Sequence, residues 1–204
     1  SGQEDTFLSV AWSLAGKLLD NRCLVKKTPV KRRKSYPETV VLLLGDSLFP
    51  EEQMQRFYEM IQPYLSRINH LTILYEINDD KDEYTDFEQD KNRWEEAIAD
   101  YTEELYYEYG LVAMVQCGRE FSINRNDRMS GQNTVLFLDF GYSGNIPLRA
   151  IKAGDIYLDV FSSEKKEAFF RRKYIEVSYI SPRKYLDTVV KSGYDKLVNR
   201  TYQI

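Results

Sequence analysis

Histidine and cysteine are scarce in this 204-residue chain, which has one histidine, His70, and two cysteines, Cys23 and Cys117. A single imidazole excludes any mechanism that needs two histidines, because histidine is the side chain that most readily exchanges a proton near neutral pH. Two cysteines are too few for a disulfide framework, and their spacing is not that of a metal site. This usage favours a cytoplasmic location, an expectation that a leader or anchor ahead of Ser1 would change.

Long apolar runs, internal repeats and glycine-rich phosphate loops are also missing. No apolar run is long enough to cross a bilayer, so we expect no membrane association from these residues. Neither Gly-x-x-x-x-Gly-Lys-Ser/Thr nor Gly-x-Gly-x-x-Gly occurs, which removes the usual cradles for nucleotide phosphates. With 43% hydrophobic and 29% charged residues, the composition is that of a soluble folded protein and excludes the disordered and collagen-like classes.

The charge is unevenly distributed along the chain, although the net charge is only -4. Residues 1–38 carry 8 basic and 4 acidic side chains, residues 39–118 carry 5 and 18, and residues 119–204 carry 15 and 10. Two interpretations stay open: the segments compensate one another in the folded protein, or the acidic middle forms a surface for a partner. The negative balance makes nucleic acid an improbable partner.

Segments of strand character alternate with segments of helical periodicity. Strands are predicted at 40–44, 71–76, 111–117 and 134–140, and further ones in the less regular last third at 156–161 and 174–180. Helices are predicted from Pro50, around Trp94, from Glu164 and from Ser181. Because parallel strands need crossover connections, the alternation predicts an α/β, Rossmann-like three-layer sandwich with a mostly parallel sheet of about five strands. We assign residues 39–204 to this single domain.

The first 38 residues are predicted to form an arm. Apolar residues between Phe7 and Leu19 recur at helical spacing, which indicates an N-terminal amphipathic helix. Six basic residues then fall between Lys26 and Lys34 in a stretch with little apolar periodicity, typical of a linker. Residues 1–38 are therefore a candidate for contact with another protein or with a second copy of the chain.

Polar side chains follow the predicted strands at the points where they end. In parallel sheets, ligands bind beyond the carboxyl ends of the strands. Asp46, Glu76 and Asp139 each occupy such a position. Carboxylate oxygens are preferred ligands of Mg²⁺, so these three residues are candidates for a magnesium site that orients a phosphate. Three acids at loop starts are also typical of helix caps and surface charges.

One of these strand ends carries the string Leu-Gly-Asp-Ser-Leu at residues 44–48. The string resembles the first block of the GDSL (SGNH) hydrolase family, and the resemblance implies Ser47 as the nucleophile of an ester hydrolase. It covers about five residues. That family's acid and base come from an Asp-x-x-His block near the carboxyl terminus, whereas here no histidine follows His70, which a parallel sheet would place at its opposite edge. The alternative is that Asp46 and Ser47 form a turn and cap the next helix.

Acidic and tyrosine side chains supply a different hypothesis. The chain has 16 tyrosines, and tyrosine is enriched at protein interfaces. The candidate binding residues are Asp79, Asp80, Asp82, Glu83, Asp86, Tyr106 and Tyr107. The leading hypothesis is a non-catalytic protein-interaction module that needs no cofactor. The alternative is a hydrolase or Mg²⁺-dependent phosphotransfer enzyme working at Asp46, Ser47 and Asp139.

Overall fold

A computed structural model describes residues 2–20, 37–46, 48–77, 84–118, 134–145, 150–152, 154–172, 177–182 and 202–203. The helices are α1 (Gly2–Asp20), α2 (Pro50–Ile61), α3 (Tyr84–Tyr109) and α4 (Glu164–Arg172), with a short 3-10 helix at Gln62–Arg67. The strands are β1 (Thr39–Leu44), β2 (His70–Tyr75), β3 (Ala113–Cys117), β4 (Val135–Phe140), β5 (Ile156–Asp159), β6 (Ser178–Ile180) and β7 (Tyr202–Gln203).

The strands form one sheet in the order β3-β2-β1-β4-β5-β6-β7. All neighbouring pairs from β3 to β6 are parallel, and the two-residue β7 lies antiparallel to β6. The predicted α/β fold with a mostly parallel sheet is confirmed, and the described ranges contribute seven strands where the sequence predicted about five. Chain order reverses between β1 and β4, the position at which ligands bind in doubly wound sheets.

The first three helices cover one face of the sheet. Trp94 of α3 stacks on Tyr75 of β2 with ring centroids 5.7 Å apart. Trp12 of α1 stacks on Phe140 of β4 at 4.1 Å and donates its indole N–H to Gln53 of α2 at 3.0 Å. Because side chains alternate along a strand, this layer takes one residue in two from each strand.

Helix α4 covers the opposite face at β5 and β6. Phe137, Tyr157 and Tyr179 are register neighbours on three successive strands, and their rings are 5.6 and 6.2 Å apart. Phe170 of α4 packs on the last two of these rings at 4.6 and 5.1 Å. Helices therefore lie on both faces of the sheet, as a three-layer sandwich requires.

Helix α1 packs against the sheet through its apolar face. Ala11, Leu14 and Leu19 are fully buried, and Arg67 donates to the Leu19 carbonyl at 2.5 Å, which satisfies a backbone group at the end of the helix. The apolar face of α1, on which the expected self-association rested, is thus covered within the same chain. The basic linker at 21–36 lies outside the described residues, and the boundary after residue 38 stays a prediction.

Several helix ends follow from local sequence. Pro50 is the first residue of α2, where a missing N–H costs nothing. Gly110 follows the last residue of α3 with φ of +67°, the left-handed conformation that glycine favours at a helix end. Before α2 the N-cap is Phe49, without a side-chain cap, and Ser47, one of the two residues predicted to cap this helix, lies outside the described residues. The final helix predicted from Ser181 lies almost wholly outside the described residues.

The helices described here are all too short or too polar to cross a bilayer.

Candidate functional site at the carboxyl ends of β4 and β5

The carboxyl ends of β1 and β4 are held together by two glycines. The Gly45 N–H donates to the Phe140 carbonyl at 3.0 Å. A Cβ on Gly45 would lie 2.4 Å from the Gly141 carbonyl oxygen, closer than real Cβ atoms come to such an atom. Gly141 itself has φ of +80°, a conformation that glycine adopts without strain. The close approach of the two chain exits therefore depends on the missing side chain of Gly45, and the turn after β4 depends on the positive φ of Gly141.

Next to these glycines, a fully buried aspartate lies one residue before the end of β4. Asp139 extends from the same face as the aromatic row, two residues beyond Phe137. Its carboxylate accepts hydrogen bonds from the Tyr157 hydroxyl and from the Tyr142 N–H, the latter at 2.9 Å. It also forms an ion pair with Lys166 of α4, whose Nζ is 2.6 Å away. The Asp139 carboxylate thus has a cation to balance its charge and donors for its hydrogen bonds.

A second fully buried aspartate, Asp159, ends β5 directly beside the first. The two are register partners on neighbouring strands. Oδ2 of Asp159 accepts hydrogen bonds from the Tyr179 hydroxyl at 2.5 Å and from the Ser163 N–H at 2.9 Å. Oδ1 is buried and has no hydrogen-bond partner in the described part of the chain. Burial, reinforced by the Asp139 carboxylate, raises the pKa of Asp159 to about 6.

Tyr157 and Tyr179 serve this site as hydrogen-bond donors. Burial and the neighbouring aspartates raise the pKa of both hydroxyls above the ordinary tyrosine value. Both tyrosines therefore stay protonated at neutral pH and donate to the aspartates. Lys166 adds a further hydrogen bond to the Tyr142 carbonyl, which ties α4 to the loop that follows β4.

A pocket of about 640 Å³ opens at these strand ends. This volume lies in the range of small-molecule sites. The lining residues are Gly141, Tyr142, Ser143, Gly144, Asn145, Asp159, Phe161, Ser163, Lys165, Lys166 and Phe169. We call this the strand-end pocket. It combines two aromatic walls with a few polar groups, and Asp159 is the lining residue that retains a buried unpaired acceptor.

The structure separates the carboxylates predicted to bind magnesium. Asp139 is at the site, whereas Asp46 is exposed and Glu76 accepts hydrogen bonds from the N–H and hydroxyl of Ser143, both at 2.8 Å. Within the described ranges, no three His, Cys, Asp or Glu side chains are grouped so that they could hold a metal ion. Ser47, the nucleophile implied by the hydrolase resemblance, lies outside those ranges.

The predicted acidic and aromatic binding residues are only partly described. Asp79, Asp80, Asp82 and Glu83 lie outside the described residues. Asp86 belongs to the first turn of α3. Tyr106 and Tyr107 near the end of α3 are 54% and 79% exposed, and their rings contact each other at 5.3 Å.

These tyrosines are near an exposed edge of the sheet. Val112, Met114 and Val115 are 60%, 58% and 41% exposed on or beside β3, and β3 is the last strand on this side of the sheet in the part of the chain that the structure describes. We call these three residues together with Tyr106 and Tyr107 the β3 edge surface. Edge strands with exposed apolar side chains are sites where another chain can pair.

Sequence reasoning missed Asp159 and its partners Lys166 and Tyr179. A signal was present, because residues 137–140 read Phe-Leu-Asp-Phe and residues 157–160 read Tyr-Leu-Asp-Val, the same order of aromatic, leucine, aspartate and apolar residue. Comparison with protein-family models, curated proteins and solved structures found no match.

Proposed function

We propose that this domain binds a small molecule in the strand-end pocket. The observation that carries the proposal is the buried Oδ1 of Asp159, which has no hydrogen-bond partner among the described residues. A buried acceptor left without a partner costs on the order of 1–3 kcal/mol, and more when it is charged. A ligand that donates a hydrogen bond to this oxygen would recover that cost, and the adjoining pocket has room for one.

Binding is better supported than the phosphotransfer alternative. A magnesium ion at Asp139 would have to replace Lys166, which already forms an ion pair with that carboxylate at 2.6 Å. The tyrosine and backbone donors at Asp139 would compete with the ion as well. The hydrolase alternative rests on Ser47 and on a five-residue resemblance, without a histidine near the strand ends.

A fragment screen followed by NMR tests the proposal. The probe is a library of small polar fragments, and the readout is the shift of the backbone amides of Gly141 and Gly144. We expect fragments that shift these amides in the wild type and in Gln89→Trp, a control on exposed α3, but not in Asn145→Trp, which fills the pocket. A library that leaves both amides unchanged in the wild type would contradict the proposal.

Protein binding at the β3 edge surface is a second candidate function. The exposed apolar residues of this edge favour it, and so does α3, in which acidic residues far outnumber basic ones. An extended partner segment that adds a strand to β3 fits such an edge, with apolar residues toward Met114 and Val115 and basic residues toward α3. This proposal retains the protein-interaction module predicted from the sequence and assigns its binding to the β3 edge surface.

A pull-down with a matched pair of variants tests this second function. Met114→Lys together with Val115→Lys should remove bound proteins, whereas Ser9→Lys together with Ser13→Lys on exposed α1 positions should retain them. Replacing the acids between Asp79 and Asp90 by their amides should weaken the same interaction. If all three variants retain the wild-type partners, the edge is not the binding surface.

Self-association through residues 1–38 is tested separately, by light scattering. Since the apolar face of α1 is buried, any pairing must use its exposed positions or the linker. Equal monomer masses for the intact chain and for a variant with glutamates at the six basic linker positions would exclude this role.

A further inference from the structure

Resting on the pocket function proposed above, we infer that the ligand carries an ammonium group that donates a hydrogen bond to Oδ1 of Asp159. A pocket by itself does not determine the charge of its ligand. Three features of the site favour a cationic ligand: the balance of buried charges, the ion pair that Lys166 already forms, and the aromatic pocket walls.

The buried charges at the site have a negative excess. Asp139, Asp159 and Glu76 are each at most 2% exposed, and among the described residues the buried cation beside them is Lys166, whose side chain is 12% exposed. Lys165 lines the pocket but is exposed, so water screens its charge. A ligand cation would therefore reduce the electrostatic cost of this site, whereas an anion would increase it.

Lys166 is already engaged and does not offer its charge to an anionic ligand. Its Nζ pairs with Asp139 at 2.6 Å and also donates to the Tyr142 carbonyl. A phosphate or carboxylate in the pocket would have to break that pair and approach Asp159. The unsatisfied group is an acceptor, so the complementary ligand group is a donor.

The pocket walls favour an ammonium carried on an apolar or aromatic body. Phe161 and Phe169 line the pocket and are half-buried. Aromatic rings add area for an apolar group, and their faces attract a nearby cation. A hydroxyl would satisfy Oδ1 as a donor but would not neutralise the excess charge. An arylalkyl amine combines all the required features.

Three probes of the same shape test the inference: benzylamine, benzyl alcohol and benzoate. Binding is measured by titration of the Gly141 and Gly144 amides at about pH 7.5, where Asp159 and the amine are both charged. We expect benzylamine to bind at least about tenfold more tightly than benzyl alcohol, because a single charge-assisted hydrogen bond changes affinity by about that factor. Benzoate should not reach saturation. Asp159→Asn should abolish the preference for the amine, and Glu96→Gln, an exposed control on α3, should retain it.

A pH titration of the wild type keeps the test independent of any variant. The groups around Asp159 are Asp139 of β4, Tyr157 of β5, Tyr179 of β6 and Lys166 of α4. Because a proton competes with the ammonium for Asp159, affinity for benzylamine should fall about tenfold between about pH 7 and about pH 5.

The possible outcomes separate this inference from the pocket function itself. Equal affinities for amine and alcohol, a preference for benzoate, or a pH-independent affinity for benzylamine would each overturn the ammonium inference. None of these results affects the fragment screen, whose hits decide whether the pocket binds any ligand. Absence of binding by all three probes, with fragment hits still at the pocket, would also overturn it.

Discussion

Asp139 and Asp159 are register partners at the carboxyl ends of two neighbouring parallel strands, but only Asp139 has Lys166 as an ion-pair partner. Two carboxylates this close cannot both be ionised without cost, because buried like charges repel strongly. Lys166 pairs directly with Asp139. It also favours the charge on Asp159, but burial and the Asp139 carboxylate outweigh that effect. We therefore expect that replacing each aspartate by asparagine changes the free energy of unfolding in opposite directions.

Asp139→Asn should destabilise the fold. The change removes the charge that pairs with Lys166 and weakens the bonds from Tyr157 and the Tyr142 N–H. Asp159 remains nearby to balance the lysine, so we expect a loss of about 2 kcal/mol in the free energy of unfolding. Urea unfolding measures it, with the exposed Glu96→Gln as a control expected within about 0.5 kcal/mol of wild type. Equal stability of the two variants would show that the ion pair contributes nothing.

Asp159→Asn should stabilise the fold above about pH 6. The pKa of Asp159 rises from its model-peptide value of 3.8 to about 6 on folding, so the native state holds a proton that the unfolded state releases between these values. The wild type thus loses stability relative to Asp159→Asn as pH increases through this window, by up to roughly 3 kcal/mol, and the difference is constant at higher pH.

Urea unfolding of both proteins across about pH 4 to about pH 8 measures this difference. The comparison between variants cancels the titration of the other carboxylates, which are present in both proteins. Parallel stability curves would mean that folding does not perturb Asp159. If the wild type instead gained stability relative to Asp159→Asn as pH rose, folding would stabilise the charged carboxylate of Asp159.

The sequence identified the elements of the sheet better than their arrangement. Unbroken apolar runs such as 40–44 and 135–138 indicate buried strands because both faces of a parallel sheet are covered. No local pattern specifies that β1 lies between β2 and β4. The sequence also does not specify where α1 packs. Its periodicity indicates an apolar face, and such a face could pack either on another protein or on this chain's own sheet.

The site was only half predictable for a related reason. Asp139 was found because it lies near the end of an obvious strand, and the strand-end rule applies to any parallel sheet. Asp159 becomes part of the site through a lateral pairing of residues twenty positions apart, and Lys166 through the packing of α4. Neither relation leaves a periodic signal. Gly45 was singled out for a hydrolase-like string, whereas the structure gives it a steric role against Gly141.

Trp12→Ala should show that α1 belongs to the folded core. Trp12 is 5% exposed, stacks on Phe140 and donates to the buried Gln53. Removing a large buried ring typically costs about 3–5 kcal/mol. Trp12→Phe keeps an aromatic ring but leaves the Gln53 acceptor unpaired, so we expect a smaller loss of about 1–3 kcal/mol. Thermal unfolding ranks the two variants, and a wild-type midpoint for Trp12→Ala would mean that the helix does not stabilise the sheet.

Gly45→Ala should be among the most damaging small substitutions in the chain, although it adds a single methyl group. That methyl would lie 2.4 Å from the Gly141 carbonyl oxygen and 2.8 Å from its carbon. Both are backbone atoms, so no side chain can move aside, and the exits of β1 and β4 must separate. We expect a loss of at least about 2 kcal/mol in the free energy of unfolding and altered chemical shifts for the pocket amides.

Gly16→Ala supplies the matched control, because it adds the same methyl in the middle of α1. There the nearest atom is Met60 Cγ at 3.6 Å, an ordinary contact at the end of a flexible side chain. Alanine also favours the helix over glycine, so this variant should be unchanged or up to about 1 kcal/mol more stable. Equal stability of the two variants would contradict the steric role of Gly45, since only the close approach of two backbone segments distinguishes the positions.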